Sequence, residues 1–367
     1  MEHFSPNRNL PSNLRFKPTE SHLYRIGLNL NRELNYEMRS LLKRPLIVFS
    51  IILTQIIKNH IFVEFMDKNR SLSTKWGNIS YFLGMNFHFN IGCNLFYYLA
   101  IYSHLVYYFN RRNDVSPTFL RVFQMMSGRI PPKDVGLKNE EQIRSLIRRT
   151  RISFKIFDQM IKISVFGFGH ILVYTVYVLF CTPMETLLYG VPNNLLFVST
   201  VYYSSETNLF QVLYFYLICH YLKLRIKAIH KTIEEMIKNK NVLNFGSVLK
   251  SLNEVTVEID EYNQTFWSKF MFGFWMTVGA QIVLFLFGAI FLEMSVLHRI
   301  IMVYILVILG PLFLFVIFTA SSVNFEANKS HKLLIRLFIA ISDCKGKISR
   351  NRRLRDKYKV SKYQISI

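Results

Sequence analysis

Negative charge is scarce in this chain: 23 Asp and Glu stand against 45 Lys and Arg, a net charge of +22. Cysteine is scarcer still. Its four residues, at 93, 181, 219 and 344, show no C-x-x-C pair and no metal-ligand spacing, so the sequence offers neither a zinc module nor a redox motif. Cys93 and Cys181 fall near the same membrane side, and a disulfide between them stays open. The first forty residues are polar and basic, without the apolar core of a signal peptide. No H-E-x-x-H or H-x-x-x-D pattern occurs. His88, His104, His170 and His220 are scattered, as befits polar contacts between helices rather than a ligand set. The chain is therefore expected to be no enzyme, with no cofactor and no bound metal.

Apolar residues, by contrast, make up 51% of the chain, with 33 Phe and 20 Tyr. That composition, gathered into long runs, predicts an all-α polytopic membrane bundle. A span needs about 20 residues, and six runs qualify: 45–66, 79–109, 163–181, 195–222, 270–292 and 300–319. The first is imperfect, carrying Lys58, Asn59 and His60. The basic residues sit in blocks beside these runs rather than in a nucleic-acid-binding module, so nucleic acid is set aside and membrane lipid is the expected surroundings.

The basic blocks set an orientation. Segments 1–44, 110–160, 223–269 and 321–367 hold 39 Lys and Arg, and the alternate connections hold 4. By the positive-inside rule the N-terminus is cytoplasmic. The expected order is a cytoplasmic segment 1–44, spans one to four over 45–222 with a basic loop at 110–160, a cytoplasmic helical hairpin at 223–269, spans five and six over 270–320, and a basic cytoplasmic tail at 321–367. The sense is opposite to that of a G-protein-coupled receptor. A voltage-gated-type channel is excluded by a fourth span without Arg before Arg225 and by a fifth connection, 293–299, too short for a filter. Asn69-Arg-Ser71 is a sequon in the first outer loop, making Asn69 a glycosylation candidate.

Two helical stripes dominate the middle of the chain. Leu222, Ile226, Ile229, Ile233 and Ile237 recur three or four apart, and Phe245, Val248, Leu252, Val255, Ile259, Tyr262 and Phe266 follow after a polar break. Both continue out of apolar spans on one side of the bilayer, which predicts a hairpin whose stripes pack together.

Candidate ligand contacts come from depth. Polar or aromatic groups in the outer halves of spans two to five are Asn86, His88, Asn90, Tyr174, Tyr177, Tyr202, Tyr203, Glu206 and Gln281. Asn86, Asn90 and Asn94 stand four apart on one helix face, and a polar stripe in a membrane faces a cavity or another helix. Interhelical hydrogen bonding is the competing account. Glu206 is the sharpest candidate, because a carboxylate at membrane depth is expensive unless hydrated or paired.

The arc from Tyr221-Leu-Lys-Leu-Arg-Ile-Lys227 through Ser251-Leu-Asn-Glu254 to Tyr262-Asn-Gln-Thr-Phe-Trp267 resembles the insect-type gustatory and odorant receptor superfamily. The basic connection between spans two and three and the near-absent outer loop between five and six are similar too. The resemblance covers about residues 40–360 in architecture and parts of 210–290 in identity. It implies a gustatory-receptor-like, ligand-gated cation channel subunit in the plasma membrane, multi-pass, with an N-terminus in the cytoplasm. It also implies a tastant or odorant bound in the outer half of each bundle, and a homo- or heterotetramer of related subunits. The cytoplasmic extensions of spans four, five and six would form the anchor where subunits meet. The family's seventh-span signature, a Thr-Tyr pair followed by apolar residues and Gln-Phe, is missing before the end at Ser361-Lys-Tyr-Gln-Ile-Ser-Ile367. The expectation is that this chain alone lacks the pore helix. A six-span transporter or a lipid-modifying membrane enzyme is the alternative.

Overall fold

The computed structural model describes residues 38–65, 69–83, 86–112, 119–126, 128, 130–137, 139–239, 245–293 and 296–343. Every regular element among them is helical: α1 (Met38–Phe65), α2 (Arg70–Trp76), α3 (Ile79–Leu83), α4 (Asn86–Arg112), α5 (Phe119–Met126), α6 (Glu140–Ser164), α7 (Val173–Phe180), α8 (Val191–Asn239), α9 (Phe245–Tyr262), α10 (Ser268–Phe291) and α11 (Val296–Asp343), with short π and 3₁₀ turns between some of them. Among the described residues all six apolar runs are almost wholly helical, the third passing through a π-helical segment at Val165–Leu172. By length and composition, Glu140–Phe180, Ser268–Phe291 and His298–Ile339 are long and apolar enough to cross a membrane, and Leu46–Ile61 is a shorter apolar stretch.

The organising element is α8. From Ser204 to Phe215 every residue is buried, because α1, α4, α6 and α11 pack around it. Polar groups such as Ser204, Glu206, Asn208 and Gln211 can therefore stand in its middle without meeting lipid. Asn208, for instance, donates to the Phe96 carbonyl on α4 at 3.1 Å. The outer faces carry the opposite chemistry. Phe166, Phe272, Val283, Phe287, Val307 and Phe318 point outward, forming a far larger apolar surface than a water-soluble monomer tolerates.

Length decides what stands outside the membrane. At 1.5 Å per residue, the 49 residues of α8 and the 48 of α11 each span roughly 70 Å, more than twice the ~30 Å hydrocarbon thickness. Their far halves meet α9, and there the two stripes close on each other. Ile233, Met236 and Val248 share one apolar cluster, and Leu333, Leu334 and Leu337 of α11 complete it. Each such side chain contributes about 1.5–3 kcal/mol when fully buried. Nearer the bundle, Leu222 and Ile226 join Val255, Ile259 and Tyr262 in the main core.

Local signals start and break these helices. Asn139 caps α6, its side chain accepting from the Glu141 amide at 2.9 Å, with Glu140 and Glu141 in the first turn. Gly136, at φ 73°, turns the chain before it, and a Cβ there would meet the Arg225 guanidinium at 2.6 Å. Pro311 sits inside α11, where neighbouring helices can make good the lost amide. Cys93, Cys181 and Cys219 are free thiols, so the disulfide left open between Cys93 and Cys181 is absent.

Candidate ligand cavity

A cavity of about 130 Å³ opens inside the bundle, between α4, α6, α8, α10 and α11. Phe89, Gly92, Cys93 and Tyr97 of α4 form one wall, with Phe197, Val201, Ser205 and Leu209 of α8 on another. Gln281 and Phe285 of α10 and Leu309 and Leu312 of α11 close it, while Met160 and Ser164 come from α6. The space exists partly because Gly92 lacks a side chain, since a Cβ there would collide with the Phe285 ring. The walls are almost entirely apolar, as small-molecule sites are.

Gln281 brings an amide to these walls, whose other polar groups are the hydroxyls of Tyr97, Ser164 and Ser205. It is 2% exposed, and its amide nitrogen donates to the Gly92 carbonyl at 2.6 Å. That bond fixes the orientation of the amide and leaves its Oε1 without a hydrogen-bond partner among the described residues.

A small polar pocket adjoins the cavity through Phe89, Cys93 and Phe197, and Gln55, Asn59, Asn78 and Asn90 line it. Around it the polar groups largely satisfy one another. Gln55 donates to Asn59 at 2.9 Å, and Asn59 donates to Asn94 at 2.8 Å. Of the three polar residues that break the first apolar run, Lys58 and Asn59 face inward and are buried, with Lys58 reaching Asn193 at 3.5 Å, while His60 is exposed.

The nine candidates from the sequence scatter around this arrangement. Gln281 lines the cavity and Asn90 the adjoining pocket. Tyr177 is buried in an interhelical contact, donating to the Thr74 carbonyl at 3.1 Å and accepting from Asn193 at 3.2 Å. Tyr202 donates to buried Glu206 at 3.4 Å, and its ring meets that of Tyr203 edge-on at 5.2 Å. Tyr203 borders the cluster of Val48, Ile52 and Tyr97. Tyr174 is 58% exposed on the outer surface. The side chains of Asn86 and His88 lie outside the described residues. Asn69 is exposed and caps α2, accepting from the Leu72 amide at 3.3 Å. Residues the sequence did not single out, above all Tyr97, Ser205, Phe285 and Leu309, make up most of the cavity. Their apolar neighbours carry no signal that separates a cavity wall from a lipid-facing one.

Outside the bundle, α8 and α9 are joined by a buried ion pair between Arg225 and Glu258. Tyr221 donates to the Val135 carbonyl at 3.0 Å and accepts from Arg225 at 3.3 Å, tying the turn before α6 to the same cluster. Burial pushes the Glu258 carboxyl up, and the Arg225 guanidinium against it opposes that rise. Further out, His230 meets the Ser330 hydroxyl at 2.6 Å and lies 3.7 Å from Glu326. Burial pushes His230 below its ordinary value, with Glu326 opposing. Among the described residues no three His, Cys, Asp or Glu are grouped as a metal would need.

No protein-family profile and no curated protein matches this chain by sequence. By structure it is similar to the insect olfactory receptor OR5 from Machilis hrabei, at a TM-score of 0.62 and 10% identity, over 88% of this chain and 87% of that one. The helical bundle described above has the fold of an insect olfactory receptor.

Proposed function

We propose that this chain is a chemosensory receptor of the insect olfactory and gustatory superfamily, a multi-pass plasma-membrane subunit of a ligand-gated cation channel. The observation that carries the proposal is the cavity between α4, α6, α8, α10 and α11, set inside a bundle with an olfactory receptor's fold. A small organic molecule bound there touches five helices at once, two of which continue as the long extensions of α8 and α11. Occupancy can therefore bias how those extensions pack, which is what coupling a ligand to a distant gate requires. The excess of Lys and Arg beside alternate spans supports a cytoplasmic N-terminus. The α8–α9–α11 cluster then stands in the cytoplasm as the place where related subunits assemble, four to a channel. Tyr202, Tyr203 and Glu206 lie behind the cavity wall and tune its shape, and Asn69 faces outward for glycosylation.

The test is ligand-evoked current in cells that express this chain beside a conducting subunit of the same fold. A panel of sugars, bitter compounds, alcohols and amino acids is applied. A ligand that evokes cation current in the wild type should evoke none in Ser205→Phe, which fills the cavity, at equal surface expression. Well-expressed wild type that is silent to the whole panel would overturn the proposal.

A further inference from the structure

The cavity's chemistry narrows its ligand, and this step rests on the cavity being the binding site. Among the described residues no Asp, Glu, Lys, Arg or His lines it, so a charged ligand would lose its hydration with none of them to replace it. Sugars fail for a related reason. Their several hydroxyls would face Phe89, Phe197, Val201, Phe285, Leu309 and Leu312, leaving most of them unpaired. The volume, about 130 Å³, is close to that of an apolar cavity of roughly 150 Å³ that takes benzene. The occupant is thus one ring or a short chain.

Gln281 supplies the remaining constraint. One of its two N–H bonds is donated to the Gly92 carbonyl, and the buried Oε1 on the same amide accepts from no donor among the described residues. A ligand bearing one hydroxyl satisfies it. A ligand bearing only a carbonyl has no hydrogen to give Oε1 and leaves that acceptor bare.

We propose that the cavity selects a small, uncharged alcohol whose hydroxyl donates to Gln281 Oε1 while its hydrocarbon body fills the space between Val201, Phe285 and Leu309. The alcohol differs from the ketone of the same skeleton only at the atom Gln281 reads, so the pair isolates the contact from size and from partitioning into lipid. Cyclohexanol should bind about tenfold tighter than cyclohexanone, the difference a buried acceptor makes between being paired and being left bare.

The experiment titrates the purified chain in lipid nanodiscs with each compound and reads the dissociation constant from the rise in thermal midpoint. Wild type, Gln281→Leu and Ser205→Phe are compared. The expected result is a tenfold preference for cyclohexanol in the wild type that falls to near parity in Gln281→Leu, through loss of alcohol affinity alone. Should Gln281→Leu fail to fold, Gln281→Met carries the same comparison, and the wild-type ratio stands without either. Equal binding of both compounds in the wild type, abolished by Ser205→Phe, would overturn the alcohol assignment and leave the cavity as the site. Binding of both that Ser205→Phe does not change would overturn the cavity itself.

Discussion

Replacing Arg225 by Met should be among the most damaging single changes outside the bundle, and its cost should depend on Glu258. The Arg225 and Glu258 side chains are 13% and 7% exposed, so neither charge can recover its hydration when the other is removed. Breaking a buried pair from one side costs about 3–5 kcal/mol. Protonation limits the loss, because a carboxyl already pushed up by burial rises further once the guanidinium is gone. Two consequences follow for the melting of purified protein, tracked by size-exclusion after heating. First, Arg225→Met with Glu258→Leu should melt above Arg225→Met alone, with a coupling of about 2 kcal/mol or more between the sites. Second, the deficit of Arg225→Met should shrink as pH falls from 7.5 toward 5, since the folded state then holds Glu258 neutral at lower cost. Strictly additive single losses, or a deficit independent of pH, would refute the argument that this pair is closed off from water.

The apolar cluster between α8, α9 and α11 should be equally sensitive: Ile233→Ala or Leu337→Ala, both at near-zero exposure, should cost about 2–5 kcal/mol in the same melts. Ile233→Asp should remove folded protein from the membrane fraction altogether. A glycosylation reporter between Ser71 and Thr74 should be modified in cells and one at Asn241 should not, and modification at Asn241 would reverse the orientation. His230, pushed down by burial with Glu326 and Glu234 opposing and Lys329 and Lys227 reinforcing, is bound neutral in the fold and charges more readily when unfolded. Its contribution is complete above an ordinary histidine value of about 6.5 and is lost as pH falls below it. Wild type should therefore lose stability between pH 7 and 5 by more than His230→Gln does. A gain on acidification would show Glu326 outweighing burial.

Helix content and the outer extensions are legible in the sequence because burial repeats every three or four residues there. The run from Leu222 to Ile237 writes its buried face in isoleucines and a leucine. The participation of α11 is harder to read, since Leu333, Leu334 and Leu337 form a short patch in a basic stretch and their partners lie about a hundred residues back. Within the membrane the code degrades. Lipid and cavity both accept Phe, Val and Leu, so the walls of the cavity look like the outer surface of the bundle. Polar residues mark interior faces, as Lys58 and Asn59 do, but most of them serve each other. Asn94 accepts from Asn59, and Tyr177 from Asn193. Gln281 differs in bringing an unanswered half-amide to the cavity wall, which becomes visible once Gly92 is placed against it.

A small organic molecule seated between Phe89, Val201, Gln281 and Leu309 should be captured by photoaffinity labelling with a diazirine analogue of cyclohexanol, followed by peptide mass spectrometry. Adducts should fall within 89–97, 197–209, 281–285 or 305–312, and excess cyclohexanol should prevent them. Adducts confined to outward-facing residues such as Phe166, Phe287 and Phe318, undiminished by competitor, would contradict that placement.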